Sequence, residues 1–113
     1  MTSLEQAKEI VKVMDKMKAK DIRLINIHEL SSLGDYFVIA SASNTTQVKA
    51  IADEIEDQMT QMDIEPNRVE GRQSAQWILL DYYDVMVHVF LEEARNFYNL
   101  ERLWSDAPQV DIS

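Results

Sequence analysis

Trp77-Ile-Leu-Leu-Asp-Tyr-Tyr-Asp-Val-Met-Val-His-Val-Phe90 reads as two strands joined by a tight turn. Aliphatic and β-branched residues fill both halves, and Tyr82-Tyr83 separates them as a two-residue hairpin loop. That loop predicts Asp81 opposite Asp84, Leu79 opposite Met86 and Trp77 opposite His88. Side chains alternate faces along a strand. One face therefore collects Ile78, Leu80, Val85, Val87 and Val89, and reads as core. The other collects Trp77, Leu79, Asp81, Asp84, Met86 and His88. It is too polar for a core and too apolar for ordinary solvent surface, a mixture typical of a protein-binding patch.

Outward from the hairpin, the pattern alternates between helix and strand. Leu4, Ala7, Ile10, Val11, Met14 and Met17 recur at helical spacing, which predicts a first helix over Leu4 to Lys18. Ser3 followed by Gln6 resembles a capping box. Ile22 to Ile27 reads as a strand, His28 to Gly34 as a polar connector, and Tyr36 to Ser41 as a central strand of nearly continuous apolar character. Ser43 or Asn44 is expected to cap a second helix with the stripe Val48, Ile51, Ala52, Ile55, Met59 and Met62, closed by Asp63 and Pro66. Arg68 to Glu70 suits a short strand. Glu92 to Trp104 suits a terminal helix with Phe97, Leu100 and Trp104 on one face. The expected organisation is one domain over 1–105 and a polar, frayed tail over 106–113. The expected fold class is α/β (α+β), a mixed sheet with helices mainly on one face.

Composition narrows the function. The chain of 113 residues is 46% apolar and holds two Gly, two Pro and no Cys, which suits one compact core and excludes disulfides and thiolate metal sites. No stretch is apolar and long enough to span a membrane, and the first residues lack a secretory pattern. Eleven basic residues stand against twenty acidic ones, and the net charge of −9 disfavours a nucleic-acid partner. It suits steering toward a basic protein, although solubility alone also accounts for it.

Candidate chemistry is sparse. Asp81 and Asp84 on one sheet face could hold Mg²⁺, and the turn from Ser41 to Thr46 could receive a phosphate at a helix N-terminus. These two features keep a nucleotidyl or phosphoryl transferase as the alternative reading. Against it, Asp is common beside turns, Ser and Asn are ordinary caps, and the loop has no Gly for close phosphate approach. His88 has no second ligand nearby, since His28 lies in a loop, so a zinc site is unsupported. Ser31, Ser32, Ser41 and Ser43 lack a nucleophile elbow. Trp77 is the sharper feature: an indole ringed by Leu79, Met86, His88 and carboxylates suits an interface anchor as well as a core position. A basic partner could pair with Glu70, Asp81 and Asp84.

Several segments together resemble one family: Asp35-Tyr-Phe-Val-Ile-Ala-Ser-Ala-Ser-Asn44, Val48 to Ile55, Val69-Glu-Gly-Arg-Gln-Ser-Ala-Gln-Trp77, the hairpin itself, and Phe97-Tyr-Asn-Leu-Glu-Arg-Leu-Trp104. The chain resembles the ribosomal silencing factors of the RsfS/Iojap family over nearly its whole length. The resemblance implies a nucleotidyltransferase-like fold without catalytic acids, with no catalytic, cofactor-binding or metal-binding residue. It implies binding to the large ribosomal subunit at its basic protein numbered fourteen, steric blocking of subunit joining, and reduced translation when nutrients are short. The absence of a transit-peptide pattern favours a bacterial cytoplasmic member of that family, the net charge of −9 implies little direct contact with RNA, and no membrane contact is expected. A monomer on the ribosome is expected, with self-pairing of the exposed face as an option when free. The sheet-face pattern and the resemblance together nominate Glu70, Gly71, Ser74, Trp77, Leu79, Asp81, Met86 and His88, with Tyr98 at the edge, as the partner-binding residues. Trp77 is the expected anchor and Asp81 the expected charge partner.

Overall fold

A computed structural model describes residues 1–29, 34–103, 105 and 107–110. Its elements run α1 (Ser3–Lys16), β1 (Lys20–Asn26), β2 (Tyr36–Ala42), α2 (Thr45–Gln61), β3 (Arg68–Glu70), β4 (Trp77–Asp81), β5 (Val85–Leu91), α3 (Glu92–Tyr98) and α4 (Leu100–Leu103). The capping box that opens α1 is set one residue earlier than expected. The Thr2 hydroxyl accepts from the Glu5 N–H at 3.1 Å and the Glu5 carboxylate accepts from the Thr2 N–H at 3.1 Å. Asn44, not Ser43, caps α2, accepting from the Gln47 N–H at 2.8 Å. Both helices bury the stripes that their spacing predicts, Ala7, Ile10, Val11 and Met14 on α1 and Val48, Ile51, Ala52, Ile55 and Met59 on α2.

The five strands lie in the order β1-β2-β5-β4-β3. The central β2–β5 pair is parallel and the other pairings are antiparallel. Val38 and Ala40 of β2 and Val85, Val87 and Val89 of β5 face α1 and α2, joined by Ile78 and Leu80, and form the larger core. A second, smaller core fills the opposite face from Ile25, Ile27, Phe37, Ile39, Met86 and Phe90, closed by Ala94 of α3 and by Ala107. The sheet is thus mixed with its two long helices on one face, in the class expected from sequence.

The hairpin keeps its predicted faces but not its predicted partners. Asp81 stands opposite Met86, Leu79 opposite His88 and Trp77 opposite Phe90. The turn has moved one residue along, to Tyr83-Asp84, with the Tyr82 N–H donating to the Val85 carbonyl at 2.9 Å. A turn shifted by one residue slides the partner strand by two and so preserves the side-chain alternation. Two effects favour the slip. The Asp81 carboxylate captures the N–H of Tyr83 at 2.8 Å, holding that residue at φ 68°. Tyr82 is also drawn into the larger core, where it is 3% exposed, so it is no freely substitutable turn residue. Burial, with Glu56 and Glu65 nearby, pushes its phenol well above the usual tyrosine range.

The C-terminal region departs further from expectation. Asn99 adopts a left-handed conformation, φ 46°, and divides the expected single helix into α3 and α4. The tail is docked where it is described: the Asn26 N–H donates to the Pro108 carbonyl at 2.9 Å and the Val110 N–H to the Leu24 carbonyl at 2.8 Å. Ala107 is buried, so residues 107–110 act as an added strand segment along β1 rather than a frayed end. Ser31, Ser32, Trp104, Asp106 and residues 111–113 lie outside the described residues.

Two residues fix the local geometry of β4. Asp81 is 8% exposed and also faces Arg68 Nε at 3.3 Å and Asn67 Nδ2 at 3.4 Å, so its charge is satisfied within the chain. Gly71 has φ 86°, and a Cβ there would run into the carbonyl oxygen of Trp77. Asp81→Ala is expected to lower stability by about 1–3 kcal/mol, because it strips the turn of its acceptor. Gly71→Ala is expected to cost about 2 kcal/mol or more, from left-handed backbone strain plus the clash. Urea unfolding of both variants beside wild type checks the two values; unchanged midpoints would contradict them.

Candidate functional site

The site is the face of β4 and β5 that α1 and α2 do not cover. Its floor is aromatic. The Trp77 ring stacks on Phe90 at 5.0 Å between centroids, with an interplanar angle of 26°. Tyr98 flanks the same indole at 5.0 Å. The Trp77 Nε1–H donates to His88 Nδ1 at 3.0 Å, reaching diagonally across the strand pair rather than straight across it. These contacts hold the indole in one orientation while leaving it half-buried.

The indole can only donate, so Nδ1 of His88 must be the accepting nitrogen and Nε2 carries the proton of the neutral ring. His88 is 4% exposed, lies edge-on to Phe37 at 4.7 Å, and has no hydrogen-bond partner at Nε2 among the described residues. Burial in this apolar surround disfavours the imidazolium and pushes its pKa down to about 3. A protonated ring would carry a hydrogen at Nδ1 and lose the bond to Trp77.

The nominated residues divide into four groups. Glu70, Gly71, Trp77 and Leu79 line one shallow depression of about 290 Å³, and Tyr98, 52% exposed, stands beside the indole. Met86 and His88 are 9% and 4% exposed, so they support the surface from below rather than forming it. Asp81 is engaged by Arg68, Asn67 and the Tyr83 N–H, which corrects its expected role as the free charge partner; Glu70 is the exposed carboxylate of the depression. Ser74 is exposed on the loop before β4. In the same loop Arg72 pairs with Asp53 at 2.8 Å and with Glu56 at 2.5 Å, and Ala75 is buried in the larger core. Those contacts tie the loop to α2. Phe97 lies on α3, is 82% exposed and is an outward aromatic neighbour of Tyr98. The break at Asn99 interrupts the single helix face expected to join Phe97 and Leu100.

The residues considered for chemistry have other engagements. Asp81 and Asp84 do not face one another, because Asp84 lies in the turn and Asp81 is paired with Met86. Among the described residues no three His, Asp or Glu side chains converge on one point. The Ser41 hydroxyl is 1% exposed, donates to the Lys20 carbonyl at 3.3 Å and accepts from Arg95 at 3.1 Å. His28 meets Asp35 at 2.6 Å, and that bond with one from Ser3 holds the Asp35 carboxyl below its ordinary range.

Neutral His88 makes the site acid-labile, with a definite sign. The folded pKa is depressed, so between 6.5 and about 3 the unfolded chain binds a proton that the folded chain refuses. The stability contributed by the neutral ring is present above 6.5 and lost progressively through that interval. Urea midpoints followed down the same interval are expected to fall more steeply for wild type than for His88→Gln; parallel curves would show that His88 is not the group involved.

The whole chain, residues 1–113, matches the family model "Ribosomal silencing factor during starvation", RsfS. The chain is 43% identical over 98 residues to the ribosomal silencing factor RsfS of Bacillus subtilis (strain 168), covering 87% of this chain and 83% of that protein. It superposes on a crystal structure of a protein from Chromobacterium violaceum with a TM-score of 0.90 at 31% identity, covering 93% of this chain and 88% of the other. A more distant relative, 26% identical over 99 residues, is the mouse protein named "Mitochondrial assembly of ribosomal large subunit protein 1"; the match spans 85% of this chain and 43% of that protein. A match along the full chain, supported by a fold that superposes over nine-tenths of it, places this protein in the RsfS family of ribosomal silencing factors.

Proposed function

We propose that this chain binds the large ribosomal subunit through the Trp77 face and sterically blocks joining of the small subunit, repressing translation under nutrient limitation. The observation that carries the reading is a half-buried indole held rigid by Phe90, Tyr98 and His88, beside the open depression that Glu70, Gly71 and Leu79 line with it. A pre-ordered aromatic anchor with a carboxylate at its rim suits a basic protein surface, and large-subunit protein fourteen is the proposed partner. The name of the family and that of the mouse relative both speak of ribosomes, the latter of the large subunit. The net charge of −9 repels RNA phosphates, so contact runs mainly through protein. Exclusion needs no chemical step: a small body occupies a surface that a large body requires, with occupancy set by its concentration relative to Kd.

Within this reading Trp77 and Leu79 are the apolar contacts, Tyr98 the edge and Glu70 the charge partner. Gly71 shapes the backbone beneath Trp77. Trp77→Ala is expected to weaken binding by about 2 kcal/mol or more, as hot-spot truncations do. The assay is sedimentation of mixed subunits with wild-type or variant chain, beside a melting curve of each. Free subunits should accumulate with wild type and much less with the variant. Joined ribosomes forming equally well with and without the wild-type chain would refute the proposal.

A further inference from the structure

We propose that α3 is a second docking element on the same face, with Phe97 as its contact residue, seated by the same basic protein that receives Trp77. The inference rests on the reading given under Proposed function and extends it to a residue outside the sheet. Phe97 is 82% exposed, the most exposed of the large apolar side chains among the described residues. An isolated exposed apolar residue needs no special account, but this one is not isolated. Its ring meets the edge of Tyr98 at 5.2 Å and 90°, Tyr98 lies 5.0 Å from Trp77, and Trp77 lies 5.0 Å from Phe90. A continuous aromatic row therefore runs from the buried floor of the site outward to Phe97. The patch on the sheet and the patch on α3 are one surface.

The helix that carries Phe97 is held in place independently of that ring. Two residues before it, Arg95 is 8% exposed and points back into the fold. Its Nε donates to Glu101 at 2.8 Å, and one terminal nitrogen donates to the Ser41 hydroxyl at 3.1 Å and reaches the Lys20 carbonyl at 3.5 Å. The single buried guanidinium thus ties α3 to α4, β1 and β2. Ala94 anchors the helix to the smaller core, and Asn99 stops it with an N–H bond to the Arg95 carbonyl at 2.8 Å. A seven-residue helix fixed on its inner side presents Phe97 outward at little further entropic cost on binding. Glu93, exposed, stands four residues before Phe97 and so on the same side of the helix. The pairing of an aromatic ring with a carboxylate repeats that of Trp77 with Glu70, and it specifies an occupant with an apolar seat rimmed by Lys or Arg.

The test uses the full-length chain, fluorescently labelled, titrated with purified large subunits. Phe97→Ala is expected to bind at least tenfold more weakly with an unchanged melting temperature, and Phe97→Tyr to bind within a few-fold of wild type. Lys49→Ala, on the exposed side of α2, is the control expected to bind as wild type. If Phe97→Ala binds as wild type while Trp77→Ala does not, the α3 proposal is overturned and the Trp77 reading stands. If wild type does not bind, both fall. A loss of binding matched by a lower melting temperature would make Phe97 a residue that steadies α3, and would also overturn the proposal. So would a variant that alters only self-association of the free chain, which would mean that the occupant is a second copy.

Discussion

The hydrogen bond from the Trp77 indole to His88 joins the interior of this protein to its surface. It needs a neutral imidazole, and the apolar cage of Phe37, Phe90 and Met86 supplies the low polarity that keeps the ring neutral. It also depends on the register of β4 and β5, because the contact is diagonal and a different slip would change how the two rings meet. Register in turn depends on the turn, where Asp81 catches the Tyr83 N–H, and on the Gly71 backbone that passes against Trp77. The orientation of one half-buried side chain is therefore fixed by several contacts, most of them buried.

Much of this arrangement was legible in the sequence, because alternation survives local error. The two hairpin faces follow from residue type alone, and a register error of two leaves them intact. The helical stripes of α1 and α2 were equally plain, since the sheet needs a large apolar cover and both helices present one. The position of the turn was less legible. Tyr82 and Tyr83 look alike as turn residues, yet one is core and the other left-handed, and the choice depends on a carboxylate hydrogen bond and on space beneath α2. The docking of residues 107–110 depends on tertiary pairing with β1, which no short-range pattern reports, whereas the Asn99 break is a local left-handed helix end of a kind that Asn tolerates.

The same distinction applies to charge. Sequence placed Asp81 on the right face but could not show that Arg68 and Asn67 were close enough to occupy it. Strand β3 brings them there by pairing Arg68 with Asp81. Glu70, at the other end of that three-residue strand, has an exposed pairing with Arg68 at 3.5 Å and stays open to solvent. A salt bridge at such exposure contributes little, so Glu70 can exchange its partner at small cost. The buried Arg95 shows the opposite case: its partners are enclosed with it, and its contribution is to position α3.

The docked tail has a consequence for association. An open sheet has two rims where a foreign strand can add, and each is a starting point for uncontrolled polymerisation. Here residues 107–110 occupy part of the β1 rim, while the other rim, β3, is three residues long and carries Arg68 and Glu70. Neither rim offers a long, bare template. This chain can thus keep an oily aromatic surface on its flat side without stacking edge to edge into fibres.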